Sequence, residues 1–590
     1  MKVNLTNQNF TNNYVTNLLK ARGVSDVQKF LYPTKDCLQN PSDFKNIGIG
    51  AALYLRVVQE NKHILIIVDS DCDGFTSAAI IYQYTKRLNP NCSVDYWLHE
   101  GKQHGLQDHI NRLMLQDEHY DLIILPDSSS NDAHYHDMLD GINIPCLILD
   151  HHLIDCELSD NAIVINNQLS PNYLNKELTG AGVVYQFCRF IDQKTNHNWA
   201  NDYIDLAALG IIGDMGSMLE LENRYISTYG LSHIKNALLI ELINKQAYSI
   251  TGKVGTTWDE TVNSLNSTAI AFYIVPLINA VIRVGTMEEK EMLFSAFLDG
   301  DRLVESNKRG AKGTMVPIKE EAVRIATNVK ARQQKLKEEI SEQLETKIVK
   351  YDLLSNKILF IQLTNEDVFP SELNGLIAMQ MASKYKRPTI IARLNDQGYN
   401  RGSARGLNES ALKDLKQFVT ESKCIEYAAG HANAFGISIP QTNLAQFIAY
   451  ANEKLQGYNF NENCYDVNFV RTAQADDLGQ LIKDIGEATS VWGQNNSEPL
   501  IYITNLYVKK SDLRVMGQNK DTLKIESNGI SYIKFRAKDL IEKLNKIQGT
   551  AEIELVGRAN LNNWMGRISP QIFIEDIECK SFKQEEYFGF

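Results

Sequence analysis

No two of the nine cysteines in this 590-residue chain are spaced as a Cys-x-x-Cys pair, and none has zinc-type spacing. Their scatter excludes a disulfide framework as well as structural zinc, so they read as reduced core thiols. Long hydrophobic runs are also missing: the most apolar stretch, "AFYIVPLINAVI", is too short and too interrupted to span a bilayer. The opening residues "MKVNLTNQNF" do not have the form of a signal peptide, so a soluble cytoplasmic protein with no membrane partner is expected. Basic charge is scarce too, and the net charge is -12. That balance ordinarily argues against nucleic acid as a partner. The sum hides local patches, however, and includes any carboxylates gathered for a metal. Apolar residues are plentiful: at 44% hydrophobic, the chain can build the several cores of a multidomain globular protein.

From residue 60 to 215 one pattern recurs. A short β-branched or leucine-rich run ends in acidic or histidine residues and is followed by helical sequence, as in "HILIIVDSDCD", "DLIILPDSSSND", "CLILDHH" and the plainer "AIVINN". Alternation of this kind implies an α/β fold with a parallel sheet. Such sheets bind ligands at the carboxyl ends of their strands, where all three charged clusters fall.

Together those clusters offer Asp69, Asp71 and Asp73, then Asp127, then Asp150 with His151 and His152, and later Asp214 after "IDLAALGIIGD". A lone Asp-x-Asp is common in turns, where it caps backbone N–H groups. Ordered acidic and histidine clusters at strand ends are better explained by cations, which hold converging carboxylates ionised. Oxygen donors with one or two imidazoles suit two divalent cations, Mn2+ or Mg2+, rather than zinc or copper. Two such ions about 3.5 to 4 Å apart would hold a phosphate and activate water for in-line attack. The chemistry implied is phosphoester hydrolysis.

"DSDCDG" (69–74), "PD" (126–127), "DHH" (150–152) and "GD" (213–214) resemble the four ordered motifs of the DHH phosphoesterase superfamily. Further segments, among them "LTGAGVVYQF", "VPLINAVIRVG", "GSARG", "GHANAFG" and "ELVGRANLNNWMGRISPQIFIEDI", are similar to the RecJ branch of single-strand-specific exonucleases, and the likeness runs from about residue 60 onward. The resemblance implies metal ligands at Asp69, Asp71, Asp73, Asp127, His151 and Asp214, with Asp127 bridging the ions. It makes His152 a phosphate-contacting or ligand-supporting group and Asp150 the partner of a histidine ring.

The same resemblance orders the rest of the chain. After an N-terminal segment (1–50), the parallel-sheet DHH catalytic lobe (51–235) is followed by a helical region with a long connecting helix (236–347). A second, smaller α/β lobe (348–458) and a C-terminal OB-fold β-barrel (459–590) complete the expected architecture. By its charges, "EEAVRIATNVKARQQKLKEEISEQLETK" reads as an exposed helix of roughly seven turns. In the second lobe Ser403, Arg405, Gly430 and His431 are expected to hold the DNA backbone and 5′ phosphate, with Asn279 and Arg283 lining the path. In the barrel, Arg558 and Arg567 are expected on phosphates and Trp564 under a base.

The sequence departs from the family in its DNA-gripping positions. Ser128 to Ser130 follow Asp127 where Cys-Gly is usual, and Leu277 and Ile282 replace an arginine and a glycine. The loop "LHEGKQHGL" lacks a phosphate-binding arginine, which His99 or Lys102 is expected to replace. The expected function is metal-dependent 5′ to 3′ hydrolysis of single-stranded DNA in recombination and repair, by a monomer in a bacterial or viral setting. Its partners would be the DNA itself and a single-strand-binding protein or helicase. Two alternatives stand beside it. A DHH hydrolase of short RNA or small nucleotides would leave the barrel unexplained, and a non-catalytic replication scaffold would leave the complete ligand set without a use.

Overall fold

The computed structural model describes residues 1–101, 103–115, 119–364, 367–545, 549–564 and 567–583. The chain divides into two compact units: Gln28–Leu336 with Ser490–Asn496, and Met1–Val27 with Lys337–Thr489 and Ser497–Phe590. The first 50 residues therefore divide at Val27, and the strand Lys2–Leu5 pairs in parallel with Cys464–Val467 inside the second unit.

In the first unit, β1 (His63–Val68) leads into α1 (Cys72–Leu88), followed by β2 (Ser93–Leu98), β3 (Leu122–Pro126), β4 (Cys146–Asp150) and β5 (Ala162–Asn166). All pair in parallel, in the order β2-β1-β3-β4-β5. β1, β3 and β4 are buried almost throughout, which is why they read as continuous apolar runs rather than alternating ones. In this order the connections leave β1 and β3 in opposite directions. The strand ends splay there, at the place where open parallel sheets bind ligands. Two largely buried helices, α2 (Gly180–Thr195) and α3 (Ile204–Gly213), pack with α1 in the core.

A helical run from Ser267 to Val284 follows, containing a π-helical turn at Ile270–Ile274 and then α4 (Val275–Val284). It is the single run among the described residues long and apolar enough to cross a membrane, yet half of it is buried in the protein core. Next come α5 (Met287–Leu298) and the 33-residue α6 (Ile318–Lys350). The expectation of an exposed connector is corrected here: α6 is buried along one side at Ile318, Ala322, Val329, Ile340, Leu344 and Ile348. Charges crowd the remaining faces of α6 and dominate its composition, which masks the apolar stripe.

The second unit holds two further sheets. One contains β6 (Leu359–Leu363), β7 (Thr389–Leu394), β8 (Tyr399–Arg405), β9 (Tyr427–His431) and β10 (Ala434–Pro440), in the order β9-β10-β8-β7-β6, with α7 (Asn374–Tyr385) packed beside it. The other is a seven-stranded sheet of β11 (Phe469–Thr472), β12 (Leu500–Lys509), β13 (Leu513–Met516), β14 (Thr522–Ser527), β15 (Ile530–Lys534), β16 (Thr550–Trp564) and β17 (Arg567–Lys583). Register shifts at Ile503/Leu506, Glu552/Ile553 and Val556/Gly557 interrupt its ladders, and bulges of this kind bend long strands.

A buried carboxylate ties the first unit together. Glu222 accepts hydrogen bonds from Tyr173 Oη (2.7 Å), Asn175 Nδ2 (3.0 Å), the Gln39 backbone N–H (2.9 Å) and Gln186 Nε2. It joins segments far apart in sequence, so its loss strands several buried donors at once. Glu222→Ala is expected to lower the stability of this unit by about 3 kcal/mol, seen as a fall in urea midpoint at unchanged slope.

Candidate metal centre and nucleic-acid contacts

The geometry starts with two tight strand-to-helix turns. After β1, Asp71 caps α1 by accepting the Gly74 N–H at 3.0 Å. A Cβ on Gly74 would lie 2.6 Å from the Asp69 carbonyl oxygen, so only glycine lets the turn close. After β3, Asp127 donates its N–H to Leu149 O at 2.8 Å, and its φ of 67° turns its side chain off the strand direction. A non-glycine residue in that region is strained, and such strain collects at functional sites.

β4 ends in Asp150, whose Oδ1 accepts the backbone N–H groups of His151 (2.7 Å) and His152 (3.2 Å) and lies 2.8 Å from His152 Nδ1. Its Oδ2 accepts the Ser130 N–H at 3.0 Å. Asp150 is thus fully engaged, and the ring it orients is that of His152. Burial raises the Asp150 carboxyl, but the bonds and charges of the two histidines outweigh it and hold the group far below the usual range. Burial alone would lower His152; the Asp150 carboxylate instead raises it to about 10, so this ring is protonated at neutral pH.

His151 behaves in the opposite way. Buried and beside the charged His152, it falls to about 4 and is neutral. Its Nε2 lies 3.2 Å from Asp127 Oδ1 and 3.5 Å from Asp214 Oδ2. Ligand atoms of Asp69, Asp71 and Asp127 lie within 4.8 Å of one another, as do those of Asp73, His151 and Asp214. Burial first, and then mutual repulsion, pushes Asp127 and Asp214 well above the ordinary carboxylate range.

Asp73 differs from the other carboxylates. Its oxygens accept Thr179 Oγ1 (3.1 Å) and the backbone N–H groups of Gly180 (2.7 Å) and Ala181 (3.0 Å), so it caps the N-terminus of α2. Gly180 and Gly210 make room: a Cβ on Gly180 would meet Asp127 Oδ1 at 2.3 Å, and one on Gly210 would meet Asp73 Oδ1 at 2.3 Å.

The donor set fits divalent cations. Asp69 Oδ1, Asp127 Oδ1 and His151 Nε2 are buried and have no hydrogen-bond partner among the described residues. Lone pairs left facing one another at low dielectric are costly unless a cation sits between them. Oxygen donors with one imidazole match Mn2+ or Mg2+.

The loop after β2 supplies a residue that the motif pattern did not mark. Its backbone is pinned by buried Lys290, whose Nζ donates to the carbonyls of His99 (2.9 Å) and Glu100 (2.5 Å). His104 Nδ1 then lies 2.7 Å from Asp69 Oδ2. His99, expected as an arginine substitute, is corrected: it is buried, packs its ring 4.5 Å from that of His109, and is driven down to about 3 by burial. Lys102 lies outside the described residues. The available signal was a second histidine five residues along the same loop, next to a glycine with positive φ, Gly105.

On α4, Asn279 Oδ1 and Arg283 Nε are buried without a hydrogen-bond partner among the described residues; burial lowers the Arg283 guanidinium, and the charge of Asp71 works against that. Leu277 and Ile282, the positions that depart from the family, are core residues here.

In the second unit, Arg405 and His431 both lie opposite Ala434, on either side of β10, so Ser403, Arg405, Gly430 and His431 share one end of one sheet. Gly430 has a φ of 130°, and a Cβ on Gly375 would meet Arg405 Nη2 at 2.3 Å. In the seven-stranded sheet, Arg558 Nε donates to Glu575 Oε1 at 2.7 Å, which offsets much of its charge. Arg567 is exposed, and the Trp564 side chain lies outside what is described.

The sequence and the fold are both similar to those of known proteins. The DHH family N-terminal domain matches residues 63–211, and the RecJ OB domain matches residues 473–576. The chain is 35% identical to a putative SPbeta prophage-derived single-strand DNA-specific exonuclease, YorK, of Bacillus subtilis, over 96% of each chain. It is 24% identical to the single-stranded-DNA-specific exonuclease RecJ of Bacillus subtilis, over 98% of this chain and 70% of that one. Its fold is similar to that of RecJ from Thermus thermophilus in complex with Mn2+, with a TM-score of 0.70 at 19% identity, covering 99% of this chain and 80% of that one.

Two outcomes test the site. Gly180→Ala should leave the chain folded but weaken Mn2+ binding at least about tenfold, measured by calorimetry, because the new Cβ takes the place of the Asp127 carboxylate. The His152–Asp150 pair raises the folded-state pKa of His152, so its stabilisation is complete below about 6.5 and lost as pH rises toward about 10. In metal-free protein, the stability gap between wild type and His152→Gln should shrink over that window.

Proposed function

The chain belongs to the RecJ family of single-strand-specific exonucleases within the DHH phosphoesterases, and from that premise we propose that it degrades single-stranded DNA from the 5′ end. The observation that carries the reading is the buried set Asp69 Oδ1, Asp127 Oδ1 and His151 Nε2, which converge without hydrogen-bond partners of their own. Asp69, Asp71, Asp73, Asp127, His151 and Asp214 would hold two divalent cations, and Asp127 is the residue grouped both with Asp71 and with His151. Asp73 also accepts the Gly180 N–H and so ties the N-terminus of α2 to the same edge. Bound there, the cations supply positive charge to the phosphodiester and acidify the attacking water.

The remaining steps belong to side chains. The Asp150 carboxylate fixes the His152 ring through Nδ1 and keeps it charged, leaving Nε2–H to donate to a non-bridging phosphate oxygen. Arg283, next to the acidic cluster, offers a second positive donor to the same strand. His104 holds Asp69 in one orientation. Residues 51–235 perform the cleavage and 236–347 form the helical connector. Ser403, Arg405, Gly430 and His431 in 348–458 contact the DNA backbone and its 5′ phosphate, and 459–590 retain the strand, with Arg567 as a contact and Arg558 acting through Glu575. We place the protein in the cytoplasm of a bacterial host, working in recombination and repair as a monomer, beside a single-strand-binding protein or a helicase.

DNA labelled separately at each end tests this. Mn2+ should permit early release of mononucleotides from the 5′ label, EDTA should abolish it, and Asp127→Ala should slow it by at least about a thousandfold with an unchanged circular dichroism spectrum. Turnover retained by that variant, or degradation confined to short RNA, would overturn the reading.

A further inference from the structure

Apart from the metal centre, the first unit holds a cavity of about 170 Å³. One water takes up about 30 Å³ of the liquid, so a small solute fits there. Its wall comes from the helix Leu221–Ser232, from the start of the run Ser267–Val284 and from Ser490, with Met218 and Leu231 supplying apolar surface. Among the described residues, no carboxylate and none of the metal-centre residues lines it. A wall free of acid, in a chain of net charge -12, suits an anion rather than a cation.

Positive character is built in from two sources. The first is Arg224, which lines the cavity at 2% exposure. Its guanidinium stacks 4.4 Å from the centre of the Phe30 ring, with Nε donating to Phe30 O and Nη1 to the carbonyls of Ser490 (3.2 Å) and Val491 (3.1 Å). These partners are neutral, and the bonds occupy Nε and Nη1 while leaving Nη2 as a donor. Burial lowers the group to about 10, so it is charged at neutral pH, and no acidic side chain among the described residues offsets the burial. A buried charge held only by carbonyls costs free energy that a counter-ion recovers. The second source is the N-terminus of the run Ser267–Val284, the positive end of its dipole. Asn266 Oδ1 caps the Ala269 N–H at 2.8 Å and the Asn266 carbonyl accepts the Ile270 N–H at 3.2 Å, but the Ser267 N–H has no acceptor among the described residues.

Ser227 is the independent sign of a ligand. It lines the same cavity, is 3% exposed, and its hydroxyl has no hydrogen-bond partner among the described residues. It follows Arg224 by three residues, which places both on one face of the helix. An unpaired buried hydroxyl is destabilising, and an acceptor entering the cavity beside the guanidinium accounts for it. We infer that this cavity binds a phosphate group, as free phosphate or as the phosphomonoester of a small nucleotide, with the Arg224 guanidinium, the Ser227 hydroxyl and the Ser267 N–H as donors. A tetrahedral oxyanion suits donors that arrive from different elements, because it presents acceptors on every side. The site is separate from the metal centre and does not depend on the exonuclease function proposed above.

Calorimetric titration of the full-length chain with inorganic phosphate, in EDTA and a phosphate-free buffer, tests the assignment, with thymidine 5′-monophosphate and thymidine titrated in parallel. Wild type should bind phosphate, Ser227→Ala should bind it about tenfold more weakly, and Arg405→Ala, in the second unit, should stay within twofold of wild type. Because the hydroxyl removed is unpaired, Ser227→Ala should melt no lower than wild type before phosphate is added. Tighter binding of the monophosphate than of phosphate, with thymidine silent, would identify a nucleotide as the source, and equal binding would identify the free ion. If wild type binds neither phosphate nor the monophosphate at millimolar concentration, if thymidine binds as well as its monophosphate, or if Ser227→Ala binds as wild type does, the cavity is not a phosphate site and the exonuclease reading stands.

Discussion

Mutual repulsion among buried carboxylates is the constraint on which the rest of this structure depends. Asp69, Asp73 and Asp127 are almost completely buried, and Asp71 and Asp214 stand beside them. Left alone, such a group takes up protons, as the upward displacement of Asp127 and Asp214 shows. Divalent cations would resolve the conflict by holding the carboxylates ionised, with Asp127 and His151 among the groups that would bind them. The apparent instability of the acidic edge is therefore the source of its affinity.

Much of the surrounding architecture holds these groups at close range. Parallel strands bring Asp69 and Asp127 to neighbouring carboxyl ends at the point where the strand order reverses. The N-terminus of α2 takes up Asp73, and Gly74, Gly180 and Gly210 leave out the carbon atoms that would block the carboxylates. The two histidines divide the work by protonation. His151 stays neutral and offers a lone pair, whereas His152, held by Asp150, stays charged. Adjacent positions in one motif thus differ in charge, one ring neutral and the other protonated.

The sheet and its ligands were legible because both leave local patterns: buried strands ending in acid, repeated in order. The same local view could not show that Asp73 also binds the start of α2, since those bonds come from residues more than a hundred positions away. It offered His99 or Lys102 for the missing arginine and left His104 unmarked, because which histidine faces the cluster depends on Lys290 pinning the loop from another helix. The buried side of α6 was hidden for a related reason, as its charges outnumber the few apolar residues that make the contacts. Residues whose role is set by a distant partner carry no signature in their own neighbourhood.

The departures from the family pattern acquire a physical sense in this light. Leu277 and Ile282 have become core residues on α4, and the positions that keep their polar character, Asn279 and Arg283, hold polar atoms that are buried without a hydrogen-bond partner among the described residues. Anomalous diffraction from crystals soaked in Mn2+ tests the central claim most directly. The account predicts two peaks about 4 Å apart, one on each side of the Asp127 carboxylate, with His151 Nε2 on one of them. A single peak, or none at Asp127 with the carboxylates bonded to one another through protons, would contradict it.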